Sequence, residues 1–465
     1  MLIVGGLIIR VSPQPDRAFA WSGFFSLSPD CADFRETDIK LLADNGFNFT
    51  RVFFNFSTLR FPNYPEDGRL VNENELRDLD QLIARGMEYG VHIQLSMSFY
   101  LDEGGNAKTD GSIAANDSEW AIVSDYWAML ARRYAGVPGR YLSFDLCNEI
   151  QPAGGEDIDY PKAKLGEMVS AIRAEDPERV LLYSFQGNPN AAWVEAAASL
   201  GLALGCHPYY PQYITTTDFS YAEQNPYAYP CWPQPWFPIG KVQDGQSQLI
   251  IEGTLSGGTP VQEGSCFYGR LYTTALPEGT AQVEIRVRGG YARLDTIIVS
   301  GSMGEVVMVP HDTADYLDYS DPLPLAVLDD GSYTNSENRL IDGEGVYEAD
   351  VKPYEDIAAK YGVGFMVNEF GIFCSKVYWD IGVVAAYHDS VLQMLTDHGL
   401  GWCYCELYNT LPKHLVIMPG SGETQFQWSG ATEKPLTVTC ESGEELEYIV
   451  NEELMDVFLK YTSEA

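Results

Sequence analysis

The feature that most constrains the fold is a beat of short β-rich runs alternating with helical patterns, kept up from residue 20 to 210 and resumed after 350. Runs such as "GFNFTRVFF", "VHIQLSMSF", "YLSFDLCNEI", "RVLLYSFQG" and "LALGCHPYY" are of strand length and β-branched or aromatic in content. Between them Leu76, Leu79, Leu82 and Ile83, then Val123, Trp127, Leu130 and Tyr134, then Leu165, Met168, Val169 and Ile172 recur on single helical faces. After residue 350 the beat returns as a helix at Pro353 to Tyr361, "GFMVNEFG", a helix from Trp379 to His398 stopped by Gly399, "GWCYCELY", and a last helix over Asn451 to Tyr461. With a strand at "AFAWSGFF", this predicts eight βα units and an α/β fold of the (β/α)₈ barrel type. A doubly wound open sheet gives a similar alternation, but it wants a Gly-rich phosphate loop after its first strand, and the sequence has none there.

Between residues 211 and 351 the composition changes. A Pro- and aromatic-rich stretch, "YPCWPQPWFP", leads into short strands with Gly-rich turns, among them "QSQLIIEGTL", "AQVEIRVRGG" and "ARLDTIIVSG". That pattern predicts an inserted antiparallel β-sandwich after the sixth barrel strand, giving a catalytic barrel of 1–217 and 350–465 and a β-rich module of 218–349 that is carbohydrate-binding-like or a lid. "DDGSYTNSENRLIDGEG" is acidic and glycine-rich but lacks EF-hand spacing. No metal is expected elsewhere either, since Cys403 and Cys405 have no second pair.

A net charge of -37 opposes binding to nucleic acid or to an anionic membrane surface and suits a neutral or cationic partner. The opening "MLIVGGLIIR" is too short to span a bilayer and reads as an early strand. Nine scattered cysteines, several within predicted strands, fit reduced buried thiols better than a disulfide framework. Both a secreted protein whose signal has been removed and the cytoplasm of an anaerobic bacterium are compatible with this.

Two strand ends carry the chemistry. In "YLSFDLCNE", strict alternation puts Leu142, Phe144 and Leu146 toward the helices and Ser143, Asp145, Cys147 and Glu149 into the barrel. Glu149 then projects from the C-terminal end of the fourth strand, and Glu369 in "GFMVNEFG" stands at the same place on the seventh. Barrel enzymes place their reactive groups at that end. Paired carboxylates there suit acetal cleavage, in which one delivers a proton to the departing oxygen and the other supplies negative charge beneath the anomeric carbon. Phosphoryl transfer would call for a Gly-rich loop or a metal cluster.

"RETDIKLLADNGFNFTRVFF", "FDLCNE", "HPYY" and "VNEFG", in that order and spacing, resemble the family 5 glycoside hydrolases of clan A, the cellulase and mannanase group. The resemblance spans the barrel and leaves out the insert. It implies Glu369 as nucleophile and Glu149 as acid/base, with Asn148 on the sugar 2-hydroxyl, Arg51 against the nucleophile, and His207 and Tyr209 lining the catalytic subsite, with no cofactor. A guanidinium at Arg51 would hold Glu369 ionised while Glu149 keeps its proton. The plainer alternatives are a structural ion pair for Arg51 and a satisfied core histidine for His207. The chain departs from the family pattern twice. Ser98 stands where the third strand usually ends in histidine, His92 being too early. Cys405 stands where the eighth strand carries its tryptophan platform, which leaves Trp402, Trp232 or Trp236 to supply a sugar-stacking face. The implied activity is retaining hydrolysis of a neutral polysaccharide or oligosaccharide, endo-acting on β-1,4-glucan or mannan. An exo-acting β-glucosidase or β-mannosidase and a non-catalytic carbohydrate-binding barrel are the alternatives.

Overall fold

The structure is a computed structural model that describes residues 22–26, 35–54, 73–97, 117–152, 158–186, 190–209, 342–372, 381–405 and 430–462. It also describes short stretches at 100–101, 107–108, 215, 407, 415–417 and 428, and the backbone of short strands between 234 and 341. Eight parallel strands close on themselves: β1 (Ser22–Ser26), β2 (Phe49–Phe54), β3 (His92–Met97), β4 (Leu142–Asn148), β5 (Val180–Gln186), β6 (Ala203–His207), β7 (Phe365–Phe370) and β8 (Trp402–Cys405), with β8 paired back to β1. The helices that follow them are α1 (Glu36–Asp44), α2 (Glu73–Tyr89), α3 (Asp117–Tyr134), α4 (Asp159–Glu175), α5 (Ala191–Ser199), α6 (Lys352–Tyr361), α7 (Ile381–Asp397) and α8 (Glu452–Lys460). The expected (β/α)₈ barrel is therefore present, interrupted once between β6 and α6.

The helices form where the periodicity placed them, for ordinary reasons. The stripes Leu76, Leu79, Leu82 and Ile83 on α2 and Val123, Trp127, Leu130 and Tyr134 on α3 are buried against the barrel. On α3 the acids Asp117 and Glu119 sit in the first turn and Arg132 and Arg133 in the last, as the helix dipole favours. Gly362, in the left-handed region at φ 68°, ends α6, and the Asn451 side chain caps α8 by accepting from the Leu454 amide at 3.1 Å.

Three details differ from the sequence expectation. The helical return to the barrel starts before residue 350: a turn at Gly343–Val346, capped by Asp342, runs through a π-helical turn at Tyr347–Val351 into α6. A hairpin of Glu433–Thr439 and Glu445–Asn451 precedes α8 and docks on α1, where Tyr448 Oη donates to Asp38 Oδ1 at 2.5 Å. In the insert, most strand pairs are antiparallel, such as Gln248–Glu252 with Gln282–Arg288. Three are parallel, including Arg270–Tyr272 with Thr296–Gly301. The opening residues and the acidic glycine-rich stretch before 340 fall largely outside the described residues.

The barrel interior is layered. Phe49, Phe53, Val180, Leu182, Ala203, Met366, Cys403 and Cys405 form an apolar inner cluster, separate from the larger one between strands and helices. Arg51, Gln94, Ser96, Ser143, Asp145, Ser184 and Asn368 are buried with it. Gly205 on β6 is what lets Asn368 lie across the interior, because a Cβ there would fall well inside contact distance of the amide. Gly205→Ala is expected to cost about 1–3 kcal/mol by overpacking, read as a lower denaturant midpoint at unchanged slope. An unchanged midpoint would show that the amide relocates freely.

The other end of the barrel holds His92. Its ring stacks on Phe49 at 5.5 Å, with Nδ1 at 3.0 Å from the Arg140 carbonyl and Nε2 at 2.8 Å from Ser143 Oγ. Burial pushes it down to about 3, and pushes His388, on the buried face of α7, down to about 4, so both are neutral in the fold. Below the ordinary value of 6.5 the unfolded chain takes up protons that these rings refuse. Stability should thus be unaffected by either ring above that value. Below it, each ring should remove roughly 1.4 kcal/mol per pH unit, down to about its folded value. Urea unfolding at about pH 7 and pH 5.5 should show a smaller drop in His92→Gln than in the unaltered protein; equal drops would rule His92 out as a contributor.

Candidate active site

Both strands that end in Asn-Glu carry one extra residue. Between β4 and β5 the pairing runs Asp145 with Leu182, then Asn148 with Ser184; between β7 and β8 it runs Val367 with Trp402, then Phe370 with Tyr404. Three steps on one strand thus oppose two on its neighbour, which is a β-bulge in each case. The bulge breaks the alternation on which the sequence reading relied. Cys147, expected to face the barrel, packs with Leu146 in the outer core, while Asn148 turns inward. On β7, Asn368 and Glu369 both reach the interior, and Phe370 returns to the outer core.

Glu149 follows its bulge at φ 58°, the left-handed region, and is the one non-glycine there among the described residues. For a residue with a Cβ this costs on the order of 1–3 kcal/mol, and such strain collects where a side chain must be aimed. Its amide donates to the Ser184 carbonyl at 3.0 Å, and its side chain, 26% exposed, meets His207 Nδ1 at 2.6 Å through Oε1. Gly371, just beyond Glu369, has φ 153°, and a Cβ there would come within 2.5 Å of the Cys405 carbonyl oxygen.

Glu369 is held at both oxygens. Tyr209 Oη donates to Oε1 at 2.6 Å and Arg51 Nη1 to Oε2 at 2.8 Å, with His207 Nδ1 at 3.7 Å from Oε2. Burial first, and Glu369 second, push the Tyr209 phenol up, so it stays a donor. Burial alone would pull the Arg51 guanidinium down; Asp145 and then Glu369 more than reverse this, so its charge is secure. Arg51 lies wholly inside and also donates through Nη2 to Asn148 Oδ1 at 2.6 Å, which fixes the amide next to Glu149.

One donor atom each of Glu149, His207 and Glu369 lies within 4.8 Å of the others. Such a trio can take a metal ion by distance, but the guanidinium on Glu369 supplies the positive charge a cation would bring. A carboxylate clamped by a cation and a phenol thus sits beside a more open carboxylate at the mouth, an arrangement with the groups that proton transfer needs.

The structure brings Arg51, Asn148, Glu149, His207, Tyr209 and Glu369 together. It does not bring in Trp402. That ring is 3% exposed in the outer core against Phe47, Phe370 and Phe458, because β8 alternates Trp402 and Tyr404 toward the helices and Cys403 and Cys405 inward. Trp232, Trp236 and Ser98 lie outside the described residues. Sequence reasoning passed over Ser96, Ser184 and Asn368 and gave Asp145 no role. The repeated Asn-Glu at both strand ends was the available signal for Asn368; the two serines offered only their place in an apolar strand.

No protein-family model matches the sequence, and no curated protein matches it. Solved structures do share its fold. A crystal structure of a glycoside hydrolase is 15% identical with TM-score 0.53, covering 96% of this chain and 98% of that one. The endoglucanase Cel5A from the hyperthermophilic Thermotoga maritima is 10% identical with TM-score 0.53, covering 96% and 99%. A mutant form of the Thermotoga maritima protein in complex with cellobiose is 11% identical with TM-score 0.51, covering 95% and 96%. At these identities the likeness is one of architecture over nearly the whole of each chain.

Proposed function

We propose that the chain is a retaining β-glycoside hydrolase that cuts within β-1,4-glucan or mannan. The observation that carries the reading is the closeness and unequal environment of Glu149 and Glu369, one carboxylate oxygen of each lying within 4.8 Å of the other. Retaining enzymes hold their carboxyls about 5–5.5 Å apart, whereas inverting ones need about 6.5 Å or more to admit a water molecule. Glu369, held by Arg51 and Tyr209, is the nucleophile. Glu149, at the mouth with His207, is the acid/base.

In the first step a Glu369 oxygen attacks the anomeric carbon, the bond to the departing glycosidic oxygen breaks, and Glu149 gives that oxygen its proton. In the second, Glu149 takes a proton from water, whose oxygen displaces Glu369 from the same carbon. The carboxylate is regenerated with two inversions and net retention. Asn148, oriented by Arg51, suits a 2-hydroxyl contact that strengthens as charge develops on the ring. The endoglucanases among the similar folds and the acidic charge, which suits a neutral polymer, fit the same reading.

Reducing-sugar release should be measured on β-glucan, carboxymethylcellulose, xyloglucan, glucomannan, galactomannan and xylan, with Glu369→Gln as the blank. Release from a glucan or mannan by the unaltered protein alone is the expected result. Release confined to short aryl glycosides would move the reading to an exo-acting enzyme, and none from any substrate would leave a barrel that only binds.

A further inference from the structure

One carboxylate in the barrel interior takes no part in these bond changes. Asp145 is wholly buried on β4. Its Oδ2 accepts from Arg51 Nε at 3.0 Å, Arg51 Nη2 at 2.7 Å, Ser96 Oγ at 2.7 Å and Ser184 Oγ at 2.7 Å, with Asn368 Nδ2 at 3.5 Å. Oδ1 has no hydrogen-bond partner among the described residues. Arg51 therefore lies between two anions, giving its Nε and Nη2 edge to Asp145 and its Nη1 to Glu369.

The division of that one cation matters for the reaction. A carboxylate that holds a whole guanidinium is strongly stabilised before it attacks, and that stabilisation must be surrendered as its charge moves into the new bond. A carboxylate that shares the cation stays more basic. We propose that Asp145 is a positioning residue that locks Arg51 and draws part of its charge away from Glu369, thereby setting the reactivity of the nucleophile. This rests on the reading of Glu369 as the nucleophile.

Among the described residues, the charged and titratable groups around Glu369 include Arg51 on β2, Asp145 on β4, Glu149 just after it, His207 on β6, Tyr209 just after that, and Cys403 on β8. Neutralising Asp145 removes a negative charge and frees Arg51 for Glu369. Both changes favour ionised Glu369, so the acid limb of activity should move to lower pH. Removing the Ser184 hydroxyl works the other way: Asp145 loses a donor, leans harder on Arg51, and the limb should move to higher pH. A merely structural role would lower activity or melting temperature without opposite displacements of that limb.

The test is kcat/KM on 4-nitrophenyl β-cellobioside, or on the best aryl glycoside in a panel, from about pH 3 to about pH 8 for the unaltered protein, Asp145→Asn and Ser184→Ala. The expected result is an acid limb lowered on the order of one unit in Asp145→Asn, within the range for a charge a few ångströms away, and a smaller rise in Ser184→Ala. An unmoved limb in Asp145→Asn, or displacements of the same sign in both, overturns the proposal. If Asp145→Asn does not fold, Ser184→Ala and Ser96→Ala decide, and the absence of a rise in both is the overturning result. Inactivity of the unaltered protein on every glycoside would instead remove the hydrolase reading, and this proposal with it.

Discussion

Glu369→Gln should lose turnover by on the order of 10⁴-fold or more on every glycoside, as removal of an enzyme nucleophile does, while its melting temperature stays close to that of the unaltered protein. The amide is nearly isosteric: its oxygen can accept from Arg51 while its NH2 donates to the Tyr209 hydroxyl, which turns from donor to acceptor, so the fold keeps its contacts while the attacking charge disappears. Glu149→Ala should behave differently. Losing the proton donor costs about 10²–10⁴-fold on a poor leaving group and far less on an activated aryl one, because the latter departs without help. Added azide separates the roles further: it should restore Glu149→Ala by displacing the Glu369 ester, giving a β-glycosyl azide, whereas in Glu369→Ala it should attack the substrate directly and give the α product. Equal loss on all leaving groups, or azide products of the opposite configuration, would reverse the assignment.

Arg51→Met should be the most destabilising single change in the interior, by about 3–5 kcal/mol at neutral pH. The guanidinium is the common partner of two buried carboxylates, and its removal leaves Asp145 and Glu369 facing each other without a cation. The pH dependence follows from the sign of the linkage. Uncompensated, these carboxylates bind protons more readily in the fold than in the unfolded chain, so the folded state gains protons and the deficit shrinks as pH falls toward the ordinary carboxylate range. Denaturant unfolding at about pH 7.5 and pH 5 would show this as a deficit that narrows at the lower value. A deficit equal at both would mean that lost packing of a long side chain, not lost charge, is responsible.

Much of this architecture was legible from periodicity, since the three helical stripes each had to bury one face and the strand runs between them, buried on both, were largely apolar. The two carboxylates were legible because they end strands whose order is fixed. What could not be read was the pair of bulges. Alternation is a local rule, and an extra residue is visible only against the neighbouring strand, so Cys147 was assigned to the wrong face and the partnership of Asn368 with Ser184 went unseen. Trp402 was misplaced for the same kind of reason. An aromatic near a strand end looks the same in sequence whether it serves a sugar or the helices, and the inward register of Cys403 and Cys405 decides for the helices.

The residues that meet around Arg51 come from both sides of the insert, and 318 positions separate Arg51 from Glu369. As the chain emerges from the ribosome, the first six strands can gather Arg51, Ser96, Asp145 and Ser184, but Asn368 and Glu369 are made only after the whole β-rich segment has been synthesised. Until then the half-built barrel has two open edges and one carboxylate for its buried cation. The arrival of β7 therefore supplies Asn368 and Glu369, and only β8 then seals the sheet against β1, so a nascent chain that stalls in the insert has neither a closed barrel nor the second carboxylate of the pair.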